Sequence, residues 1–438
     1  MDRRRSTPSS SLRQDPSAVR KSHWVEYNGE EVASLVLRVS KCNDVAVCPF
    51  AAIPLDIMHD AVLSYLRYDK PVDNCIFVCG GCSSNSKRSE SYLSSVEVYD
   101  PYSKAGRRAP SMSGPRVDAA AVFVGGYLYV VGGYRVDFFR PPQPLGCVEV
   151  YNPWLNEWQC LASTMQIPRF AHSLAVVDNR YLYAIGGSTR ERLVSLVEVF
   201  DTHTNQWVQD GDRINLPEPL AAPRVLEKDG RLYIIGGILM VDLPFQSDLI
   251  YILDTTVKPH TWSVLSVRLS VGRSACGVAW LDECKSTIGI FGGYVSINGY
   301  FEEVATSEVV SLKDAHLVPR LQASRADCRA VTVGSCVFLV GGYEDDDTDS
   351  IFSDSSETLA EFNDFLELFG ADTDSRSSTH YSDSHHYCQA ERPLTAASDK
   401  ALLFDLSEWG WVKDDERTCM FTGRTCAAVC LGSAFPTT

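Results

Sequence analysis

The sequence predicts an all-β protein built from repeated blades, and three observations carry this prediction. Glycine doublets recur at intervals of 49 to 56 residues, a period typical of propellers and other repeat architectures. Each doublet closes a short run of β-branched and aromatic residues, which suits a strand buried on both faces. A second strand and then a tryptophan follow in several repeats. The doublets that follow this spacing are Gly80-Gly81, Gly132-Gly133, Gly186-Gly187, Gly236-Gly237, Gly292-Gly293 and Gly341-Gly342.

The second strand of the repeat has its own pattern. In Val96 to Asp100, Val148 to Asn152 and Val197 to Asp201, a glutamate stands two residues before an aromatic residue. The polar side chain that ends each of these strands is expected to cap a turn to an outer strand. A tryptophan follows the aromatic or aliphatic position by seven residues in three repeats and by nine in a fourth. These tryptophans are Trp158, Trp207, Trp262 and Trp411.

Together these features resemble the kelch motif, and the resemblance extends from about Val72 to Leu431. It implies an all-β, six-bladed kelch β-propeller with four strands in each blade. We therefore expect a propeller over residues 71–435, in which the glycine doublets and the four tryptophans are structural.

The inner strand of each blade is expected after a short step that ends in arginine. The first doublet has no such step upstream, so the segment Thr425 to Leu431 should supply the missing inner strand of the first blade. Closure of this kind removes an exposed sheet edge, and deleting the last dozen residues should open the ring. The steps are Pro115-Arg116, Pro168-Arg169, Gly272-Arg273, Ser324-Arg325 and Gly423-Arg424.

Two blades depart from the pattern. The fourth has Pro217-Glu218 where the arginine step is expected. Pro223 falls inside its expected inner strand, which predicts an irregular strand because proline donates no ladder hydrogen bond. The fifth lacks both the acidic pair and the tryptophan around Val309 to Leu317.

Composition narrows the class of protein. The chain has 438 residues, of which 45% are hydrophobic, and a formal net charge of −16. No apolar run is long enough for a membrane span, and the basic start lacks the apolar core of a secretory signal, so we expect a cytoplasmic protein. No basic stripe with interleaved aromatic residues suggests nucleic-acid binding. Several of the 15 cysteines, Cys147 among them, fall in strand runs and are expected to act as small hydrophobic residues.

The segment before the propeller is expected to be helical. Residues 23–70 resemble the end of a BACK domain in the order of their tryptophan, acidic, leucine-rich and proline-apolar segments, and helical spacing follows Pro54. A generic amphipathic helix is the alternative. Residues 1–22 are expected to be a disordered tail. The resemblance implies a kelch-like, BTB-BACK-kelch protein that lacks the BTB domain, as either a shortened form or an incomplete sequence.

The sixth blade carries an acidic insertion at residues 344–398. Its Ser- and Asp-rich composition is typical of disorder, although Leu359, Phe362 and Phe369 fall on one side of a possible helix. One hypothesis is that this helix docks on a partner or on the arginine-bearing face of the propeller. The alternative is a solvated loop without a role.

The family resemblance also implies a function. BTB-BACK-kelch proteins present substrates to a cullin-RING ubiquitin ligase, so we expect a module that binds a protein segment, with an acidic peptide as one candidate. Cullin would be a partner only if a longer form supplied a BTB domain. Arginine suits carboxylates and tyrosine adds rigid contact area. The residues carried over as partner-binding are Arg116, Arg169, Arg273, Arg325, Arg424, Tyr134, Tyr294 and Tyr343.

An equally weighted alternative is that the repeated arginines brace the turns by bonding carbonyl groups. The loop residues expected to widen the binding surface are Arg135, Phe138, Phe139, Arg140, Arg190 and Arg192.

No residue pattern indicates catalysis, so the sequence predicts a non-enzymatic protein without a cofactor or metal. It shows no acylating triad order, phosphate-binding glycine loop or zinc spacing. A cytoskeletal kelch protein, for instance one that binds actin, or a scaffold is the first alternative. A copper oxidase-like kelch enzyme is a remote one, because it needs a tyrosine-histidine constellation that the sequence does not reveal.

Overall fold

The computed structural model describes residues 72–434 with several gaps. The gaps are 86–87, 138–139, 209–213, 242, 283–285, 298–299, 305, 313–314, 318–323, 346–399, 408–409, 413–417 and 420–423. The expected tail, the BACK-like segment and nearly all of the acidic insertion therefore lie outside the described residues. Within the described residues, no helix is long and apolar enough to span a bilayer.

The regular structure in the described part of the chain consists of β-strands. In the first half these are β1 (Val72–Cys79), β2 (Cys82–Asn85), β3 (Arg88–Tyr92), β4 (Val96–Asp100), β5 (Ala105–Ala109), β6 (Ala120–Val124), β7 (Tyr127–Val131), β8 (Tyr134–Asp137), β9 (Arg140–Pro144), β10 (Cys147–Asn152), β11 (Glu157–Thr164), β12 (Ser173–Val177), β13 (Tyr181–Ile185), β14 (Leu196–Asp201), β15 (Gln206–Trp207) and β16 (Ile214–Asn215).

The second half continues the same pattern. Its strands are β17 (Arg224–Lys228), β18 (Arg231–Ile235), β19 (Ile238–Val241), β20 (Leu243–Gln246), β21 (Ile250–Asp254), β22 (Thr261–Val264), β23 (Gly277–Trp280), β24 (Thr287–Phe291), β25 (Tyr294–Ile297), β26 (Tyr300–Glu303), β27 (Ser307–Ser311), β28 (Ala315–Leu317), β29 (Ser324–Ala326), β30 (Arg329–Val333), β31 (Cys336–Val340), β32 (Tyr343–Asp345), β33 (Lys400–Asp405), β34 (Gly410–Trp411), β35 (Thr418–Cys419) and β36 (Ala428–Ala434).

Six antiparallel sheets with a four-stranded path form the blades, which confirms the predicted six-bladed propeller. Short strands β16 and β35 add to blades 3 and 6. For blades 1 to 6 in turn, the strand orders are β36-β1-β4-β5, β11-β10-β7-β6, β12-β13-β14-β15, β17-β18-β21-β22, β23-β24-β27-β28 and β30-β31-β33-β34. The order begins with the inner strand in every blade except blade 2, where it begins with the outer strand.

The last strand closes the ring. β36 pairs antiparallel with β1, with Cys430 opposite Phe77, so blade 1 combines the first and last strands of the propeller as the sequence predicted. The strand was expected from Thr425 but begins at Ala428. The reason is a turn at Cys426, whose φ is 51°.

Blades 4 and 5 are more regular than the sequence suggested. Strand β17 begins at Arg224 and pairs without interruption with β18, so Pro223 lies just before the strand and the expected irregularity is wrong. Blade 5 keeps a glutamate, Glu308, in its third strand, although Val310-Ser311 stands where blades 1, 2, 3 and 6 have an aromatic residue followed by Asp or Asn.

The core lies between neighbouring blades. Phe77 of blade 1 stacks on Phe123 of blade 2 with ring centroids 5.8 Å apart. Phe291 of blade 5 packs on Phe404 of blade 6 at 6.0 Å. Each blade therefore buries its apolar faces against both neighbours, and removing one sheet exposes the faces of two others.

The tryptophans occupy the outer strands of their blades. Trp158 lies opposite Tyr151, with ring centroids 5.2 Å apart. The seven-residue spacing is thus the length of a hairpin whose end residues face each other. The other opposed pairs are Trp207 with Phe200, Trp262 with Leu253, and Trp411 with Phe404.

All the doublet glycines have a positive φ. A Cβ on Gly236 would lie 2.2 Å from the carbonyl oxygen of Arg273, and a Cβ on Gly186 would lie 2.5 Å from that of Leu220. Glycine is therefore required both by the backbone conformation and by the close approach of the next blade.

Candidate functional site

A hairpin or turn follows each doublet and lies beside the segment that enters an inner strand. In blade 2 Val117 bridges Tyr134, and in blade 5 Ser274 bridges Tyr294. Because antiparallel strands alternate in direction, these connections emerge at one end of the sheets, which we name the hairpin face. It comprises β2–β3, β8–β9, residues 188–193, β19–β20, β25–β26 and β29 with β32.

The five step arginines are buried beneath the hairpin face. Arg116 is 3% exposed, and the other four are 0% exposed. A buried guanidinium does not reach a peptide at the surface, so the assignment of these residues to partner contact is corrected. In this structure the arginines fit the alternative interpretation, in which they brace the turns by bonding carbonyl groups. The arginines concerned are Arg116, Arg169, Arg273, Arg325 and Arg424.

Arg116 shows how the bracing works. Its Nη2 donates to Glu149 Oε1 at 2.5 Å, and its Nη1 donates to the carbonyl oxygen of Gly132 at 2.9 Å. Glu149 also accepts a hydrogen bond from the backbone N–H of Ser113 at 2.8 Å. The buried charge is therefore paired and hydrogen-bonded, as burial demands.

Three other blades repeat the buried ion pair. In each, the arginine Nη1 also donates to the carbonyl oxygen of the first doublet glycine of its own blade. Arg325 makes the same contact with Gly341 at 3.4 Å. The pairs are Arg169 with Glu198, Arg273 with Glu308 at 3.0 Å, and Arg424 with Glu97 at 2.6 Å.

The backbone of the same arginines joins neighbouring blades. The N–H of Gly81 donates to the carbonyl oxygen of Arg116 at 2.8 Å, and that of Gly342 donates to Arg424 at 3.0 Å. Each arginine thus holds the preceding blade through its main chain and its own blade through its side chain. We call this arrangement the blade joint.

Blade 4 has a joint without arginine. The N–H of Gly187 donates to the carbonyl oxygen of Leu220 at 2.7 Å. Tyr251 occupies the strand position that glutamate holds in blades 1, 2, 3 and 5, and its hydroxyl donates to Glu218 Oε2 at 2.8 Å. Burial, and then the hydrogen bond with Glu218, raise the pKa of Tyr251, so the hydroxyl stays protonated.

Two of the three predicted tyrosines lie half-buried at the hairpin face. The ring of Tyr134 meets that of Phe170 edge-on, with centroids 5.2 Å apart. Tyr294 packs against an apolar cluster that includes Ala221 and Ile238. Tyr343 belongs to β32, and its side chain lies outside the description.

The exposed arginines of the hairpin face come from its loops. Arg190 and Arg192 are exposed on the blade 3 turn, and Arg135 is exposed on the blade 2 hairpin. The hydroxyl oxygen of Thr189 accepts from the N–H groups of Glu191 and Arg192, each at 3.1 Å, which fixes the turn. Phe138 and Phe139, also expected on this surface, lie outside the described residues, as does the side chain of Arg140.

Sequence reasoning missed a ring of turns at the start of the inner strands. The residue two positions after each joint has a positive φ although it is not glycine. Its main chain links successive blades: the N–H of Ala171 donates to the carbonyl oxygen of Asp118, and that of Ala222 donates to the carbonyl oxygen of Ala171. The arginine steps locate this position, but nothing in them indicates the conformation. The residues are Asp118, Ala171, Ala222, Ala275, Asp327 and Cys426.

Three polar members of this ring meet beside the closing strand. The thiol of Cys426 donates to Asp327 Oδ2 at 3.1 Å. A carboxylate oxygen of Asp118, one of Asp327 and the sulfur of Cys426 all lie within 4.8 Å of one another. Burial, and then the charge of Asp327, raise the pKa of Asp118 to about 7, against the opposing charges of Arg329 and Arg224. Because those arginines disfavour a cation here, we assign no ion to the cluster.

The fold and its hairpin face define the class of protein: a closed β-propeller assembled from sequence repeats. The family model for the kelch motif matches residues 71–113, 115–165 and 169–211. Residues 71–211 therefore carry kelch motifs, and the chain is similar to the kelch-like proteins. Kelch motifs support a protein-interaction module as the class of function.

Individual relatives match parts of the chain. α-Scruin of Limulus polyphemus is 34% identical over 153 residues, which are 33% of this chain and 16% of that protein. Kelch-like protein 15 of Mus musculus is 25% identical over 253 residues, or 53% of this chain and 39% of that protein. The chain thus spans less than two thirds of either relative. The solved structure of YjhT aligns at 17% identity with a TM-score of 0.49, covering 63% of this chain and 92% of that one.

Proposed function

We propose that this chain binds an acidic segment of another protein at the hairpin face, as the substrate-recognition part of a cullin-RING ubiquitin ligase adaptor. The observation that carries the binding proposal is an apolar patch with an arginine rim. Leu193, Ala222 and Tyr294 are half-buried around the buried Ala221 and Ile238. These five residues come from the connections of blades 3, 4 and 5, so the patch spans three neighbouring blades.

The rim of the patch is basic at blade 3. Arg190 and Arg192 flank a single acidic residue, Glu191, and all three are exposed. The turn that carries them is held by the side chains of Ser188 and Thr189, so little ordering entropy remains to be lost on binding. An apolar side chain for the patch and carboxylates for the rim would suit this surface.

The ligase role has separate support. The kelch motifs and the similarity to kelch-like protein 15 favour a kelch-like adaptor. The contact with cullin would come from a BTB domain supplied by a longer form of the protein. We place the complex in the cytoplasm as part of the same proposal.

Reversing the charge of the rim tests the binding site. The double variant Arg190→Glu/Arg192→Glu should lose at least tenfold in affinity for acidic peptides captured from a random peptide library, because two attractive charges become repulsive. The matched control is Lys104→Glu/Lys258→Glu, which makes the same charge change on exposed turns between third and fourth strands. Those turns lie at the opposite end of the sheets. An equal loss in both variants would mean that only net charge attracts the peptides.

Co-purification tests the ligase role independently. If the longer form captures cullin while the rim variant captures cullin but no substrate, both parts of the proposal hold. The cytoskeletal alternative instead expects co-sedimentation with actin filaments and no cullin. Turnover of a small molecule in a copper-dependent oxidation assay would favour the enzyme alternative over a binding module.

A further inference from the structure

Two cysteines of blade 2 lie on the same face of neighbouring strands. Glu149 of β10 pairs with Cys160 of β11, and Cys147 stands two residues before Glu149. Since alternate residues of a strand share a face, the side chains of Cys147 and Cys160 are diagonal neighbours. The ladder has a bulge between Cys147 and Glu149, where the partner of Cys147 shifts to Thr164. Both thiols are reduced.

A buried guanidinium contacts one of these thiols. Nη2 of Arg116 donates to Cys147 Sγ at 3.0 Å and to Glu149 Oε1 at 2.5 Å. Nη1 of the same arginine also reaches the carbonyl oxygen of Cys147 at 3.4 Å. The Cys147 thiol is therefore held against a cation, the electropositive surrounding in which reactive cysteines lie. The carboxylate of Glu149 shares that cation.

The second thiol is open to solvent. Cys160 is exposed and Cys147 is half-buried. Burial raises the pKa of Cys160, followed by the charge of Cys147 and that of Glu149, and a hydrogen bond with Cys147 acts in the same direction. Cys160 therefore stays protonated beside Cys147, in the position of a resolving thiol.

We propose that Cys147 and Cys160 form a redox modification site, which hydrogen peroxide converts from a dithiol to a disulfide. The Cys147 thiolate attacks one oxygen of hydrogen peroxide, the O–O bond breaks, and the products are Cys147 sulfenic acid and hydroxide. The sulfur of Cys160 then attacks the sulfenic sulfur, the S–O bond breaks, and water leaves with the thiol proton. Two thiols and one peroxide thus give one disulfide and two waters.

The site differs from the buried cysteines and from Cys336. Cys75, Cys79, Cys276, Cys328 and Cys430 are buried, and burial raises the pKa of Cys79 to about 12. Cys336 is the matched control, because it is half-buried like Cys147 but burial raises its pKa and its charged neighbour is the carboxylate of Asp405. Neither burial nor a neighbouring carboxylate promotes the reaction of a thiol with peroxide.

Time-resolved alkylation of the full chain tests the proposal. After hydrogen peroxide is added, peptide mapping by mass spectrometry should show a Cys147–Cys160 disulfide. Cys147 should be consumed about tenfold faster than Cys336, because a guanidinium contacts the sulfur of Cys147 whereas the charged neighbour of Cys336 is a carboxylate. Reduction with dithiothreitol should restore both thiols.

Two single substitutions assign the roles. In Cys160→Ser, Cys147 should accumulate as a sulfenic acid that dimedone traps. In Cys147→Ser, Cys160 should react no faster than Cys336. Equal rates for Cys147 and Cys336 in the unsubstituted chain, or a mapped product without the disulfide, would overturn the proposal. That measurement needs no variant, so it stands even if a substitution impairs folding.

Discussion

Blades 2 and 4 are each joined to the preceding blade, but through different side-chain interactions. In blade 2 the joint combines a backbone hydrogen bond with the buried pair of Arg116 and Glu149. In blade 4 the same backbone bond is made at Leu220, and Tyr251 stands where glutamate would be. The backbone bond is therefore common to both joints, whereas the ion pair is not needed at every position.

The contrast also shows what the ion pair contributes. Desolvating two charges offsets much of their mutual attraction, so an apolar pair of similar volume can hold a joint equally well. Once one charge is buried, however, its partner becomes indispensable. The arginine joints should therefore tolerate replacement of both charged partners together better than removal of one of them.

Truncation should have the largest effect, because the seam between blades 6 and 1 is a joint whose inner strand comes from the chain terminus. Deleting residues 427–438 removes β36, leaving β1 with an unpaired edge and the apolar face of blade 1 uncovered. We expect loss of the cooperative thermal transition, measured by circular dichroism. Adding a peptide of residues 427–438 should restore part of the transition. A truncated protein with an unchanged transition would contradict closure by this strand.

Breaking one charged joint should come next. Glu149→Ala leaves the Arg116 guanidinium buried without its carboxylate, and should lower the free energy of unfolding by about 3–5 kcal/mol. Urea unfolding measures the change. The control in blade 4, Tyr251→Phe, removes a neutral hydrogen-bond donor and should cost about 1 kcal/mol. Equal losses would mean that the two joints are energetically alike.

A transplant sharpens the same comparison. Arg116→Leu combined with Glu149→Tyr gives blade 2 the side chains of the blade 4 joint. It should be more stable than Glu149→Ala alone, since no charge remains buried and unpaired. A double variant less stable than the single one would show that blade 2 cannot use an uncharged joint.

A glycine pair separates crowding at the joint from backbone strain. Gly236→Ala places a Cβ 2.2 Å from the Arg273 carbonyl oxygen, whereas a Cβ at Gly125 meets nothing within 4 Å. Both glycines have a positive φ, near 60°. Gly125→Ala should cost about 1 kcal/mol from conformation alone, and Gly236→Ala about 1–3 kcal/mol more. Similar unfolding midpoints in urea would rule out crowding as the reason for the doublet.

The smallest expected effect concerns pH at the seam. The pKa of Asp118 is about 7 in the folded protein and about 4 in an unfolded chain. The folded state therefore binds this proton more tightly than the unfolded chain does. The stabilisation that the bound proton provides is lost as the pH rises from about 4 to about 7. Asp118→Asn should flatten that dependence and raise the free energy of unfolding at pH 8. Urea unfolding at pH 5 and pH 8 measures both effects.

A control variant makes the pH prediction specific. Asp178 also has a positive φ, of 54°, but is exposed on a turn. Asp178→Asn should leave the pH dependence of unfolding unchanged. If both variants flatten it equally, the dependence does not come from the seam.

Local signals in the sequence predicted most of the fold. Doublets such as Gly80-Gly81 need a positive φ, and Trp158 follows Tyr151 by one hairpin, so short spacings alone fixed the blades and their outer strands. The closing strand was predicted because the first blade lacked an inner strand upstream. The propeller thus followed from requirements that act within or between consecutive repeats.

The site was harder to predict because one pattern fits two roles. An arginine repeated in nearly every blade is equally consistent with bracing and with binding. Its partner decides between them, but Glu149 lies 33 residues from Arg116 and was part of a different strand motif. The exposed arginines, Arg190 and Arg192, stand in a turn that does not repeat. The repeat pattern therefore identified the framework residues, whereas the candidate ligand contacts lie in loops that do not follow the repeat.

The pairing of the first strand with the last gives the protein a strict order of assembly during synthesis. Blades 2 to 5 each draw their four main strands from one continuous stretch of chain, so they can form while translation continues. Blade 1 must wait with an open edge on β1 until the residues of β36 have left the ribosome. Nascent chains therefore display an unfinished sheet at β1, and chaperones that recognise such edges would act on this protein until the residues of β36 are made.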